Sequence, residues 1–151
     1  MYELKPNVNY KTIYLDSLNC VINAERNTLT FNNLPVIKVE GNVNYIRLDT
    51  VSMTSASSGN YTGHVWNIKL GNIKYNNKFY YNSDRNAIPT IGNIMIDNNM
   101  MINNGLNNLV IDNQNINQII LYVNSSDGHG LIKNAQVIKM YISLVIEEHF
   151  V

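Results

Sequence analysis

A chain of 151 residues has room for one domain with a real core and hardly for two. Eleven basic residues against eleven acidic ones give zero formal charge, and Cys20 is the only cysteine. This excludes an intrachain disulfide, a cysteine-rich metal site and a strongly basic nucleic-acid binder. Charged residues make up 15% of the chain, against roughly 25% in typical soluble domains. Asn fills the gap at about one residue in five. It is a poor helix former and a good turn former, whereas Ile, Val, Thr and Tyr favour strands, so composition points to an all-β chain.

In chain order, Tyr10 to Leu15 alternates Lys11, Ile13 and Leu15 against Tyr10, Thr12 and Tyr14, which predicts a first strand, suited to an edge. Leu18, Cys20 and Ile22 suggest a further extended piece, and Ala24 to Asn27 a polar turn. Thr28 to Phe31 is a short strand followed by an Asn32-Asn33 turn. Pro35 opens Val36 to Val39, since proline is tolerated at a strand start. Gly41-Asn42 turns the chain into Tyr45 to Thr54, where Ile46 and Leu48 share one face and Val51 and Met53 the other. That slip near Thr50 predicts a β-bulge or a change of sheet. After the loop Ser55 to Asn60, His64 to Leu70 alternates cleanly, with Trp66, the only tryptophan, as a core anchor.

Ile73 and Tyr75 continue that pattern, and Asn76-Asn77 turns into Phe79, Tyr80 and Tyr81. Asn82 to Asn86 is a loop. Pro89 precedes a segment in which Ile94 and Ile96 point inward. In Asp97 to Asn108, Met100, Met101 and Ile102 allow at most a single helical turn, and Asn104-Gly105 signals a type I′ turn. Leu109 to Ile111 is a short strand. Ile116 to Val123 is a strong one, with Ile119, Leu121 and Val123 on one face and Ile120 and Tyr122 on the other. Ser125 to Gly130 is a turn. The longest alternation comes last. From Val137 to Ile146, Ile138, Met140, Ile142, Leu144 and Ile146 form an aliphatic face, while Val137, Lys139, Tyr141, Ser143 and Val145 form a mixed one. Glu147 and Glu148 read as the exit into solvent.

Eight to ten short strands with turns about every ten residues and no intervening helix predict an antiparallel β-sandwich occupying residues 1–151 as one domain. A single jelly roll with Greek-key connections is the first expectation and an immunoglobulin-like sandwich the second. Trp66, Ile68, Leu70, Ile119, Leu121, Ile142 and Leu144 should be buried together.

No residue cluster announces a reaction, and no catalytic, cofactor-binding or metal-binding residue is assigned. His64, His129 and His149 lack ligand spacing and read as structural or surface residues. No nucleophile elbow surrounds any serine, and Cys20 reads as a packed thiol. Asp127-Gly128-His129-Gly130 resembles a ligand loop but is more simply a hairpin turn. Asp97-Asn98-Asn99 and Asp112-Asn113-Gln114-Asn115 could offer oxygens to calcium, although neither is an EF-hand. The sequons at Asn60 and Asn124 are expected by chance in so Asn-rich a chain. Lys69, Lys74, Lys78 and Arg85 interleave with Tyr75, Phe79, Tyr80 and Tyr81, a pattern that can stack bases. Against this, no Lys or Arg falls between Asn86 and Ile132, and direct nucleic-acid contact is not expected.

The segments Y-I-R-L-D-T-V-S-M, H-V-W-N-I-K-L, I-N-Q-I-I-L-Y-V and V-I-K-M-Y-I-S-L-V-I, between Tyr45 and Ile146, give a strand order similar to that of small single jelly-roll proteins of virus capsids and minor virion components. This resemblance implies a non-enzymatic structural subunit in a virion, assembled in the host cell, that contacts itself or other subunits. Genome-packaging members often carry a basic N-terminal arm, and Met1 to Asn9 is not one. Nor does that stretch have the apolar core of a signal peptide, and no apolar run approaches membrane-spanning length. The alternative function is a carbohydrate-binding or host-attachment module, for which Asn, Asp and Tyr on loops are suitable contacts but no exposed aromatic platform is legible.

Overall fold

The computed structural model describes residues 7–23, 28–54, 65–79, 87–97, 100–104, 108–125 and 139–151. Among these there is no α-helix, only a 3-10 turn at Ser17–Asn19, and fourteen strands. They are β1 (Asn7–Asp16), β2 (Val21–Asn23), β3 (Thr28–Phe31), β4 (Ile37–Val39), β5 (Val43–Thr54), β6 (Val65–Gly71) and β7 (Lys74–Tyr75), then β8 (Lys78–Phe79), β9 (Thr90–Asp97), β10 (Met100–Asn104), β11 (Leu109–Ile111), β12 (Gln114–Ile116), β13 (Ile119–Ser125) and β14 (Lys139–Phe150).

One six-stranded sheet runs β1-β14-β5-β11-β7-β8 and a second runs β10-β9-β6-β13-β3-β2; β12 and β4 form a separate pair. Every pairing is antiparallel. The inward sets of both sheets meet in one apolar cluster. Ile13, Leu15, Ile46, Leu48, Met140, Ile142, Leu144 and Ile146 come from the first sheet, and Leu29, Phe31, Trp66, Ile68, Leu70, Ile94, Ile119, Leu121 and Val123 from the second. The architecture is an antiparallel all-β sandwich, and all seven residues expected to share the core do so. No helix of the described residues is long and apolar enough to cross a membrane.

Asparagine shapes the turns as composition suggests. Asn33, Asn72, Asn76 and Asn77 all have positive φ, the region Asn tolerates better than other side chains. Asn72 Nδ2 donates to Gln118 Oε1 at 2.9 Å, and Gln118 Nε2 donates to Asn32 Oδ1 at 2.6 Å, tying three chain reversals together. The slip near Thr50 is a bulge: Thr50 pairs with Ser143 and Leu48 with Leu144, leaving Asp49 unmatched. It shifts the phase so that Val51 packs against the core as Leu48 does, and β5 stays in its sheet.

Several expectations need correction. Ile116 belongs to β12 and is separated from β13 by Asn117 and Gln118, so Ile116 to Val123 is two strands. Leu18 lies in the 3-10 turn and is exposed, not part of an extended piece; Asp16 Oδ1 accepts from Leu18 N at 3.0 Å and fixes that turn. Met100 to Asn104 is a strand paired with β9, so the helical turn is absent there. Ser143 and Val145, on the outward set of β14, are buried, Ser143 by its contact with Thr50 Oγ1 in the bulge. The largest correction concerns Glu147 and Glu148. The strand does not exit there but continues to Phe150, and Glu148 is buried. The loops and turns at 24–27, 55–60, 82–86 and 126–130, and the residues His64, His129, Tyr80, Tyr81, Arg85, Asn98, Asn99, Val137 and Ile138, lie outside the described residues.

Candidate functional site

The inward faces of β1, β14 and β5 change character at one end of the sandwich. The phase that gives Ile13 and Leu15 also gives Asn9 and Lys11; the phase of Ile142 to Ile146 gives Glu148; that of Ile46 gives Asn44. Register places Asn9, Glu148 and Asn44 in one row across the three strands. The Glu148 side chain is 0% exposed and Lys11 Nζ stands 2.8 Å from its Oε1. Asn9 Nδ2 donates to the same oxygen at 3.2 Å, and the Glu40 backbone N–H to Oε2 at 2.9 Å. Lys11 Nζ also donates to the Lys38 carbonyl. Burial alone would raise the Glu148 carboxyl. The hydrogen bonds from Lys11, the Glu40 amide and Asn9, with the charge of Lys11, outweigh it and hold the group below its ordinary value.

Asn44 is 2% exposed and locked. Its Oδ1 accepts from Gly41 N at 2.9 Å; its Nδ2 donates to Gly41 O at 3.2 Å and to Asn113 Oδ1 at 2.8 Å. Gly41 is required here by close approach. A Cβ would collide with Asn44 Oδ1 and lie 3.1 Å from both Glu148 Cβ and His149 N. Outside this network opens a cleft of about 580 Å³ between the β4–β5, β7–β8 and β11–β12 turns; Glu40, Asn42, Asn44, Lys74, Asp112 and Asn113 supply polar groups to it, and Val43 and Val110 apolar ones.

The Asp112 to Asn115 segment is thus at a site, where its Asp112, Asn113 and Gln114 side chains are engaged with the chain itself. Asp112 Oδ2 accepts from Asn77 N and lies 4.0 Å from Lys74 Nζ, while Gln114 clamps the Lys74 backbone, accepting from its N at 2.9 Å and donating to its O at 3.0 Å. These groups brace the β7–β8 turn. No cluster of three or more His, Cys, Asp or Glu able to hold a metal occurs among the described residues.

A second feature lies on the outer face of the first sheet. Tyr10 and Tyr14 on the edge strand β1 are 59% and 64% exposed, and Tyr141 on β14 is 41% exposed. The Tyr14 and Tyr141 rings stack with centroids 6.2 Å apart, and Tyr45 meets His149 edge-on at 5.4 Å. Arg47, Asp49, Lys139 and Glu147 add charges of both signs. This is the exposed aromatic surface not legible in the sequence. Its tyrosines come from β1, β5 and β14, and strand order alone makes them neighbours. The second sheet's outer face differs. Register aligns Asn124, Asn67 and Asn93 across three strands, and the Tyr122 ring is buried over Gly71.

The remaining candidates disperse. Tyr75 is buried with its hydroxyl donating to the Leu70 carbonyl at 2.6 Å, so it cannot stack on a base beside Lys69 and Lys74. Cys20 Sγ donates to Ser17 O at 3.0 Å, and burial, with the nearby Asp16 charge, pushes its thiol up, away from the reactive thiolate. His149 is held between Tyr45 and Glu147. No family model, curated protein or solved structure matches this chain.

Proposed function

We propose that this protein is a non-enzymatic structural subunit of a larger assembly, a single jelly roll of the virion-associated kind, working by burial between neighbouring subunits. The observation that carries the reading is the tyrosine face. Three tyrosines 41% to 64% exposed on one sheet, among charges of both signs, form a surface rich in a residue enriched at protein interfaces and unusual on one facing only water. Zero net charge leaves little electrostatic opposition to association.

Strand order supports the jelly roll. Rank β1, β3, β5, β6, β9, β11, β13 and β14 from first to eighth. One sheet then runs first, eighth, third, sixth, and the other second, seventh, fourth, fifth. That is the interleaving produced by wrapping one long antiparallel hairpin into two sheets. The remaining strands are short: β2, β7, β8 and β10 extend sheet edges and β4 and β12 pair with each other, and with them the count rises past the eight to ten expected.

Tyr141→Asp tests the reading, because it places a charge on the face without touching the core. Light scattering on the wild type should give a mass above one chain that falls on dilution. The variant should shift toward the single-chain mass with an unchanged melting temperature. A wild type that stays monomeric at high concentration would overturn the assembly reading.

A further inference from the structure

We propose that the cleft between the β4–β5, β7–β8 and β11–β12 turns binds a neutral saccharide. This inference is independent of the assembly reading, which rests on the outer face of the first sheet.

The lining decides the ligand class. Glu40 and Asp112 bring two carboxylates against the single ammonium of Lys74, so an anion meets net repulsion. Asp112 is already engaged by Asn77 N and Lys74, and no cluster among the described residues offers a third acidic, His or Cys ligand, which disfavours a metal. Tyr75 beside the cleft is buried and no ring lines the cleft among the described residues, so a flat aromatic ligand has nothing to stack on. A polyhydroxyl ring fits what remains. Its hydroxyls donate to carboxylates and accept from amide N–H₂ groups and an ammonium, and the cleft offers all three kinds of group. Val43 and Val110, 44% and 41% exposed, supply an apolar wall for the C–H face of a pyranose.

The site is also built before any ligand arrives. Asn44 is fully engaged beneath the surface and fixes Asn113 by its oxygen, which leaves the Asn113 N–H₂ group for a ligand. Gln114 holds the Lys74 backbone on both sides. Little conformational entropy remains to be lost on binding. With few apolar contacts, affinity should lie in the millimolar range.

The test is an amide-resolved NMR titration of the whole chain with methyl glycosides of glucose, galactose, mannose and N-acetylglucosamine, with inorganic phosphate and calcium chloride as separate arms. At least one glycoside should shift the amides of Gly41 to Asn44 and Val110 to Asn113, saturably, while phosphate and calcium do not. Two variants then locate the contact. Glu40→Gln changes a side chain at the cleft rim. Asn113→Asp keeps the oxygen that accepts from Asn44 and replaces the donor group with a charged acceptor. Each should weaken binding by roughly tenfold, the effect of one lost charge-assisted hydrogen bond, with the melting temperature of Glu40→Gln unchanged. The proposal is overturned if no glycoside shifts these amides, if binding is indifferent to both variants, or if phosphate or calcium perturbs them more strongly than any sugar.

Discussion

The inward face of β14 is two different surfaces in one strand. From Met140 to Ile146 every second side chain is aliphatic and buried against the second sheet; two residues on, the same position holds Glu148, equally buried but fixed by Lys11, Asn9 and the Glu40 amide. The first region is held by removal of apolar surface from water, which is non-directional and tolerant of repacking. The second is held by hydrogen bonds, each of which fixes a partner's position. The polar end accordingly organises turns: Glu148 sets the Glu40 amide, its row neighbour Asn44 sets Gly41 and Asn113, and the cleft opens on those turns. The apolar middle organises only the packing of sheet on sheet.

The largest effect should come from the apolar middle. Leu144 is completely buried at the centre of β14, and Leu144→Ala removes its transfer free energy and leaves a cavity, a loss of about 2–5 kcal/mol by urea denaturation. A loss below about half a kcal/mol would mean that this face is not packed as described.

At the polar end, Lys11→Met should cost about 2–4 kcal/mol, because it leaves a buried carboxylate without its cation while Asn9 and the Glu40 amide remain. The same carboxylate gives the pH dependence its sign. Its folded-state value lies below the ordinary 4.5, so the unfolded chain takes up a proton first as pH falls. The group therefore contributes stability that is complete above about pH 4.5 and is lost as pH drops through the depressed value. In Glu148→Gln that acid-side step in urea stability should disappear. If it persists undiminished, another carboxylate is responsible and the two ends of β14 do not differ in this way.

Gly41→Ala probes the same end through the backbone. Its Cβ would displace Asn44 Oδ1 from the Gly41 amide and press on Glu148 Cβ, at an expected cost of about 1–3 kcal/mol. The variant should also broaden or shift the Asn113 side-chain amide resonances, which a mere loss of backbone freedom elsewhere would not do.

How much of this was legible follows from the same contrast. Period-two alternation reports phase, and it located β3 and β11 to the residue, the bulge beside Thr50 and the seven core residues, because burial of aliphatic side chains leaves a direct trace in sequence. The polar end left no such trace. Glu147-Glu148 after an apolar run has the composition of an exit into water, and only its in-phase position relative to Ile146 hinted otherwise. Its partners, Lys11 and Asn9, lie more than a hundred residues away, and their polarity masked the inward phase they share with Ile13. The cleft and the tyrosine face were illegible for a related reason. Each is assembled from strands or turns distant in sequence, and neighbourhood is set by sheet order, which alternation does not encode.

The smallest effect should be on the tyrosine face, where the comparison meets function. Tyr14 and Tyr141 are exposed and stack across the β1–β14 pair, so their mutual contribution to folding is limited to ring contact in water. A double-mutant cycle with Tyr14→Ala and Tyr141→Ala should give a coupling of about half a kcal/mol, the low end for aromatic pairs. Neither single change should cost much more than about one kcal/mol, since little buried area is lost. If the face exists for assembly, the same two changes should act far more strongly on association than on urea stability, lowering the mass seen by light scattering while leaving the unfolding midpoint nearly in place. A coupling of several kcal/mol, or loss of the fold, would show that these tyrosines hold the sheet together, and would remove the reason to read them as a contact surface.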